Sequence, residues 1–265
     1  MDLLWFLRDT KYCLLQIFAD IISAISTIMG ILLLSERLGG IGGISRMEIL
    51  FMLGYGVAVE GLFIVMFVNG NIGQISRIIG RGQLDHNILQ PVPLWTQLLT
   101  QGFAPFSGNG QLLCGIGLLW FASRQLQIII SFPAVGILVI SLCCSCIIMT
   151  SVIWLISCLA FYAPAATEEI AEQALHLFSS TKSYPLGTLS FYWQAILCLV
   201  IPLGLTAWFP SRFLLNKPIY SLSAGFLLLA LAALIFLLLF IISFRRGLNY
   251  YAKHGSPRYT GFGHR

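Results

Sequence analysis

Residues 125–167 read QLQIIISFPAVGILVISLCCSCIIMTSVIWLISCLAFYAPAAT, and the whole stretch contains no Asp, Glu, Lys or Arg. A hydrocarbon layer is crossed by about 20 consecutive apolar residues in a helix, and this run is longer than that. The rest of the chain agrees with it. Hydrophobic residues make up 58% of the sequence, charged residues 9%, and the mean hydropathy is +0.88, whereas an ordinary soluble domain is about 25% charged. The solvent of this protein is therefore lipid, and its charges fall in clusters between uncharged runs.

Working outward from that stretch, six spanning helices are expected, at about 13–34, 47–69, 102–121, 132–163, 188–209 and 221–244. The third is the least sharp, because Ser107 to Gly110 places polar, flexible residues inside it. The fourth would measure roughly 48 Å at 1.5 Å per residue, against a hydrocarbon core of about 30 Å, so it must tilt, break or project. Pro202 falls inside the fifth, where it removes a backbone hydrogen bond and is expected to kink the helix. The start, MDLLWFLRDTKY, has no basic segment ahead of its apolar residues and no small-residue cleavage site, and so reads as retained. Its Leu3, Leu4, Trp5 and Phe6 either lie in the membrane interface or extend the first span.

Lys and Arg set the orientation. One side of the six-span arrangement holds ten of them (Arg8, Lys11, Arg77, Arg81, Lys182, Arg245, Arg246, Lys253, Arg258, Arg265), and the other holds five (Arg37, Arg46, Arg124, Arg212, Lys217). Positive residues mark the cytoplasmic side, so both termini and the 70–93 loop are expected there. In TEEIAEQALHLFSS, Ile170, Ala174, Leu177 and Phe178 follow helical spacing, with Thr167 as N-cap and Glu168 and Glu169 in the first turn. This reads as a short amphipathic helix on the cytoplasmic surface.

The sequence offers little that could carry catalysis. No phosphate-binding loop, nucleophile elbow or zinc-protease motif occurs, so an enzyme is not expected and no catalytic residue is assigned. Glu168-Glu169 resembles the acidic pair of intramembrane metal-type proteases, but Ile170, Ala171, Glu172 and Gln173 follow without the arginine of that motif. Seven cysteines, almost all inside apolar runs, read as small helix-packing residues rather than as metal ligands or disulfides. Nothing points to nucleic acid. Ionisable residues inside spans are costly and mark function by default, which singles out Asp20 and Glu60. The two are expected at similar depth on antiparallel helices. They either share a proton, line a path together, or each accept a hydrogen bond from a polar neighbour.

The polar interruption at 76–95, SRIIGRGQLDHNILQPVPLW, reads as a hairpin. Ile75, Ile78 and Ile79 share one helical face, Gly80 to Gly82 permits a reversal, and a second short helix from Leu84 ends before Pro91. Here the chain resembles a family: the permease subunits of ABC type-2 exporters, in a six-span bacterial branch similar to antibiotic-export permeases. The resemblance rests on Gly82, Leu84, Asp85, Ile88 or Leu89 and Pro91 in the hairpin, on Tyr184-Pro185, Ile201-Pro202 and Phe209-Pro210 around the fifth span, and on Gly247, Leu248, Tyr251 and Gly255 near the end. Gln83 and Gln90 depart from the acid and the base usual in the hairpin.

The resemblance implies an all-α, multi-pass permease of the bacterial plasma (inner) membrane, made of one domain over 1–265. It would form half of a translocation path beside a second permease, the same chain or a related one, among membrane lipids. A separate ATP-binding cassette subunit would hold ATP and Mg, with no cofactor bound by this chain. The hairpin would be the coupling element to that subunit, through Ile75, Arg77, Ile78, Arg81, Gly82, Leu84, Asp85 and His86, while Asp20, Glu60 and Pro202 are candidates for the path. Export follows from the family. The alternatives are an ion-coupled secondary transporter or channel using Asp20 and Glu60, and a non-transporting membrane scaffold.

Overall fold

The computed structural model describes residues 10–37, 44–67, 75–101, 103, 107–128, 131–182, 184–215 and 221–255. These form eleven α-helices joined by turns, with no strand element among the described residues. In chain order the helices are α1 (Thr10–Arg37), α2 (Arg46–Phe67), α3 (Ile75–Gly80), α4 (Gln83–Leu89), α5 (Leu94–Gln101), α6 (Asn109–Gln125), α7 (Phe132–Ser157), α8 (Pro164–Thr181), α9 (Phe191–Leu199), α10 (Trp208–Leu214) and α11 (Leu222–His254). Both ends of the chain, including the stretch from Leu3 to Phe6, lie outside the described residues.

Among the described residues, four helical segments are long and apolar enough to cross a membrane: Cys13–Gly30, Arg46–Phe67, Phe132–Phe161 and Leu222–His254. They coincide with four of the six expected spans. The other two differ. The third segment begins only at Asn109, after Gly108 adopts a left-handed backbone (φ 76°), which leaves a 17-residue α6. That glycine is required twice over, since a Cβ there would also come within 2.7 Å of Ile64. The fifth segment is broken rather than kinked: α9 stops at Leu199, a 3-10 turn runs from Pro202 to Leu205, and α10 restarts at Trp208. Pro202 has no N–H to continue the ladder, so the helix ends before it. The overlong fourth segment resolves itself by tightening into a 3-10 turn, Cys158–Phe161, and then reversing into α8 at Pro164.

α2 is the central pillar, with 78% of its apolar window buried. It can be surrounded because it carries small residues where neighbours approach. A Cβ on Gly61 would lie 2.4 Å from the backbone nitrogen of Leu112, and one on Gly115 would lie 2.5 Å from that of Ala58, so α2 and α6 touch backbone to backbone. Polar groups tie α2 to the broken fifth segment. Ser145 of α7 donates to the Leu205 carbonyl at 2.9 Å, which leaves its oxygen to accept from the Tyr55 hydroxyl at 2.9 Å. The carbonyl freed by the break is thereby satisfied inside the protein, as apolar surroundings demand. An aromatic cluster of Trp95, Trp154, Phe161, Phe240 and Phe244 locks α7, α11 and the hairpin end together, with ring centroids 5.0 to 5.8 Å apart.

α8 departs in part from the expected amphipathic pattern: Ala174 and Phe178 are buried, together with Thr167 and Ala171, whereas Ile170 and Leu177 are about half exposed. Small side chains let the helix sit closely on the α7 turn and on α3, and the larger aliphatics point away. Thr167 is not the N-cap: the helix starts at Pro164, and the Thr167 hydroxyl donates back to the Ala163 carbonyl at 2.7 Å.

Candidate functional site

The hairpin is two short helices, α3 and α4, reversed at Gly82, whose φ of 69° lies in the left-handed region that favours glycine. Ile75, Ile78 and Leu84 are all but fully buried. Packed inside the chain, they anchor the hairpin on α8 and on the turn after α7. Arg77 is half-buried and bridges to α8, its Nε 2.8 Å from Glu168 and a terminal nitrogen 3.5 Å from Glu172. Asp85 accepts a 2.6 Å hydrogen bond from the Tyr251 hydroxyl near the end of α11. These two residues also work inward, as ties.

Arg81 and His86 are exposed. Beside them the structure presents residues outside the expected contact set: Leu89 is 83% exposed, and Ile88 and Val92 are about half exposed. The signal for them was available in the run NILQPV, where apolar residues sit next to a helix stop and so cannot all turn inward. Below the tip, Gln97 donates to the Asn87 and Val92 carbonyls at 2.9 and 2.6 Å and holds α4 to the start of α5.

Of the three path candidates, the structure brings one to a cavity. Glu60 lines a space of about 530 Å³ between α1, α2, α6 and the end of α8. There it accepts a hydrogen bond from the Ser179 hydroxyl and pairs with the Lys182 ammonium, the two charged side chains being 13% and 10% exposed. Lys182, counted above among the positive residues of the hairpin side, is buried; Gly56 makes room for it, since a Cβ there would lie 2.8 Å from the Lys182 Cβ. Asp20 serves elsewhere. Its carboxylate accepts from the Gly108 backbone N–H at 2.9 Å and from Gln16 at 3.2 Å, which fastens the start of α6 to α1. The two carboxylates do not bond to each other, so the shared-proton arrangement is not formed. Pro202 is buried in the packing around the break and does not line the cavity.

α8 joins the two places. Glu168 and Glu172 near its start hold the hairpin, and Ser179 near its end reaches Glu60, about 16 Å further along the axis at 1.5 Å per residue. One helix thus touches both the hairpin and the cavity wall.

Comparison with curated proteins and with solved structures finds no match. A family model described as "ABC-2 family transporter protein" matches residues 21–255, which include every helix from α2 to α11, the hairpin and the Glu60–Lys182 pair. That span covers most of the chain, and this helical membrane protein therefore belongs to the ABC-2 transporter family, as a transmembrane component.

Proposed function

We propose that the chain is the permease of an ATP-driven exporter and that the 70–93 hairpin receives the push of a separate ATP-binding subunit. The observation that carries this reading is the double fastening of the hairpin: through Arg77 to α8 and through Asp85 to α11, with an apolar tip facing outward. A solvated connector has no use for two long-range ties. ATP and Mg²⁺ belong to the partner subunit, and this chain supplies the docking tip and the levers. The excess of positive residues on the hairpin side supports a cytoplasmic hairpin and cytoplasmic termini, and the resemblance to the exporter permeases supports a bacterial plasma membrane. A second permease, identical or related, completes the path across the plasma membrane, six crossings from each chain.

The test is capture of the tagged protein from membranes in mild detergent, with ATPase activity assayed on the eluate. Leu89→Glu charges the exposed tip without touching an internal tie, so it is the informative variant. Wild type is expected to bring an ATPase with it and Leu89→Glu to lose it while keeping the same melting temperature. Wild type that is folded yet carries no ATPase sinks the proposal.

A further inference from the structure

α11 is the longest apolar helix among the described residues, and only 22% of its apolar window is buried. Leu229, Ala233, Phe240, Phe244, Gly247 and Tyr251 pack inward along one side. On the opposite side Leu227, Leu231, Leu234, Leu238 and Ile242 recur every three or four positions and are about half exposed or more. The next steps of that series are Arg245, Asn249 and Lys253, all exposed, with the exposed Arg246 one position aside. At 100° per residue these apolar and basic residues fall in one sector of about 120°, so the leucine stripe and the basic face are a single surface. Depth agrees with this. From Leu222 to Arg245 the helix rises about 35 Å, which crosses a hydrocarbon core of about 30 Å and sets Arg245 and Arg246 in the headgroup layer. Lys253 lies about two turns further, on a stem long enough to reach back.

The three charges are uncompensated. Arg77 and Lys182 each hold a carboxylate, whereas no carboxylate of the described residues, Glu169 included, lies within ion-pair distance of Arg245, Arg246 or Lys253. No Asp or Glu follows Glu172 anywhere in the chain. Two other titratable groups stand close by: Asp85 is held by Tyr251 on the buried side, and His254 is exposed in the last turn, its Nδ1 3.0 Å from the Tyr250 carbonyl. Lys253 and His254 suit the negative end of the helix dipole, but that effect fades within one turn and does not reach Arg245 and Arg246. Tyr250 stacks on His254 with centroids 4.1 Å apart and meets Tyr162 at 4.5 Å, an aromatic rim of the kind found at headgroup level.

We propose that this face binds an anionic phospholipid, with its phosphate held by Arg245 and Arg246, Lys253 in reach, and its acyl chains along the leucine stripe. An arginine presents a planar fork of donors that matches phosphate oxygens. A zwitterionic headgroup brings its own cation to a face that already carries three, so the anionic lipid is selected. The site requires only that α11 cross the membrane and is independent of the exporter reading.

For the test, the full chain in neutral detergent at physiological salt is titrated with phosphatidylglycerol carrying a fluorescent acyl chain, and binding is read by polarisation. Phosphatidylcholine with the same tail is the comparison, and wild type is expected to bind it about tenfold more weakly or worse. Arg246→Gln should weaken phosphatidylglycerol about fivefold, and Arg245→Gln/Arg246→Gln should bring it to the level of phosphatidylcholine. Melting temperatures should stay at the wild-type value, because both side chains are exposed. Lys11→Gln removes one exposed charge from α1 and should change the affinity by no more than about twofold, since salt screens a distant charge. Glycerol 3-phosphate, which has the phosphate and no chains, should not displace the lipid. Equal binding of the two lipids, an equal loss in Lys11→Gln, or displacement by glycerol 3-phosphate overturns the inference. So does a double variant that keeps its lipid preference but loses particle mass in light scattering, which would assign the face to a second copy of the chain. Capture of an ATPase is a separate readout, so the exporter reading can fail while this site stands.

Discussion

The hairpin and the cavity stand at opposite ends of α8 and treat an ion pair in opposite ways. At the hairpin, Arg77 and Glu168 meet at a water-accessible surface, with side chains 31% and 26% exposed. At the cavity, Lys182 and Glu60 meet with 10% and 13% exposed, beside a helix that is packed on nearly every side. The lesson is that the same chemistry has different consequences at the two ends. A surface pair loses little when one partner goes, because water replaces it; an interior pair leaves behind a charge that water barely reaches.

The largest effect is expected at the cavity end, from Gly61→Val. The new side chain would occupy the position of the Leu112 backbone, so α2 and α6 must separate, at about 3 kcal/mol or more. Thermal unfolding in detergent should show it, and Gly117→Ala, with nothing within 4 Å of the added Cβ, should be neutral or slightly stabilising. A tolerated Gly61→Val would mean that the two helices are not in backbone contact.

Next comes Lys182→Met, which strands Glu60 in the wall at about 3 kcal/mol, reduced by whatever water the cavity admits. Adding Glu60→Gln should restore most of that stability, since no unpaired charge is left. If the double variant is as unstable as the single, the packing of the lysine stem rather than its charge is what matters.

At the hairpin end, Tyr251→Phe removes a donor from Asp85 and should lower stability by about 1–2 kcal/mol, with no change in far-UV helix content. Arg77→Ala should be the mildest, at about 1 kcal/mol or less and smaller still in high salt. If the proposed coupling through the hairpin holds, both should reduce the ATPase activity captured with the protein more than they reduce melting temperature, because they cut the ties from the hairpin to α8 and α11. If Arg77→Ala proved as damaging as Lys182→Met, the two ends would not differ as described.

Much of the hairpin was legible in the sequence. Two glycines flanking one residue, an isoleucine stripe and a proline stop are local signals, and the turn at Gly82 follows from them. The duties of its charged residues were not legible, because the partners of Arg77 lie 91 and 95 positions away and that of Asp85 lies 166 away. For the same reason Glu60 was singled out as costly while its neutralising partner went unrecognised: Lys182, 122 residues distant, looked like a loop charge. On α8 the helical period was read correctly and the buried face in part: Ala174 and Phe178 are buried, Ile170 and Leu177 are not. Hydrophobicity favoured Ile170 and Leu177, yet close approach to α3 favoured the small Ala171.

By itself the sequence determined the solvent, the four long apolar helices, the reversal at Gly82 and the interruption at Pro202. Each of these depends on transfer free energies or backbone preferences that sum within one segment and need no knowledge of its neighbours. Only the tertiary structure decided which carboxylate faces a cavity, which lysine neutralises it, which isoleucines are anchors rather than contacts, and that one helix links hairpin to cavity. Those outcomes depend on the register between helices. It is set where Gly61 and Gly115 let backbones touch, and a shift of one residue rotates a helix by about 100° and turns each polar group to a different neighbour.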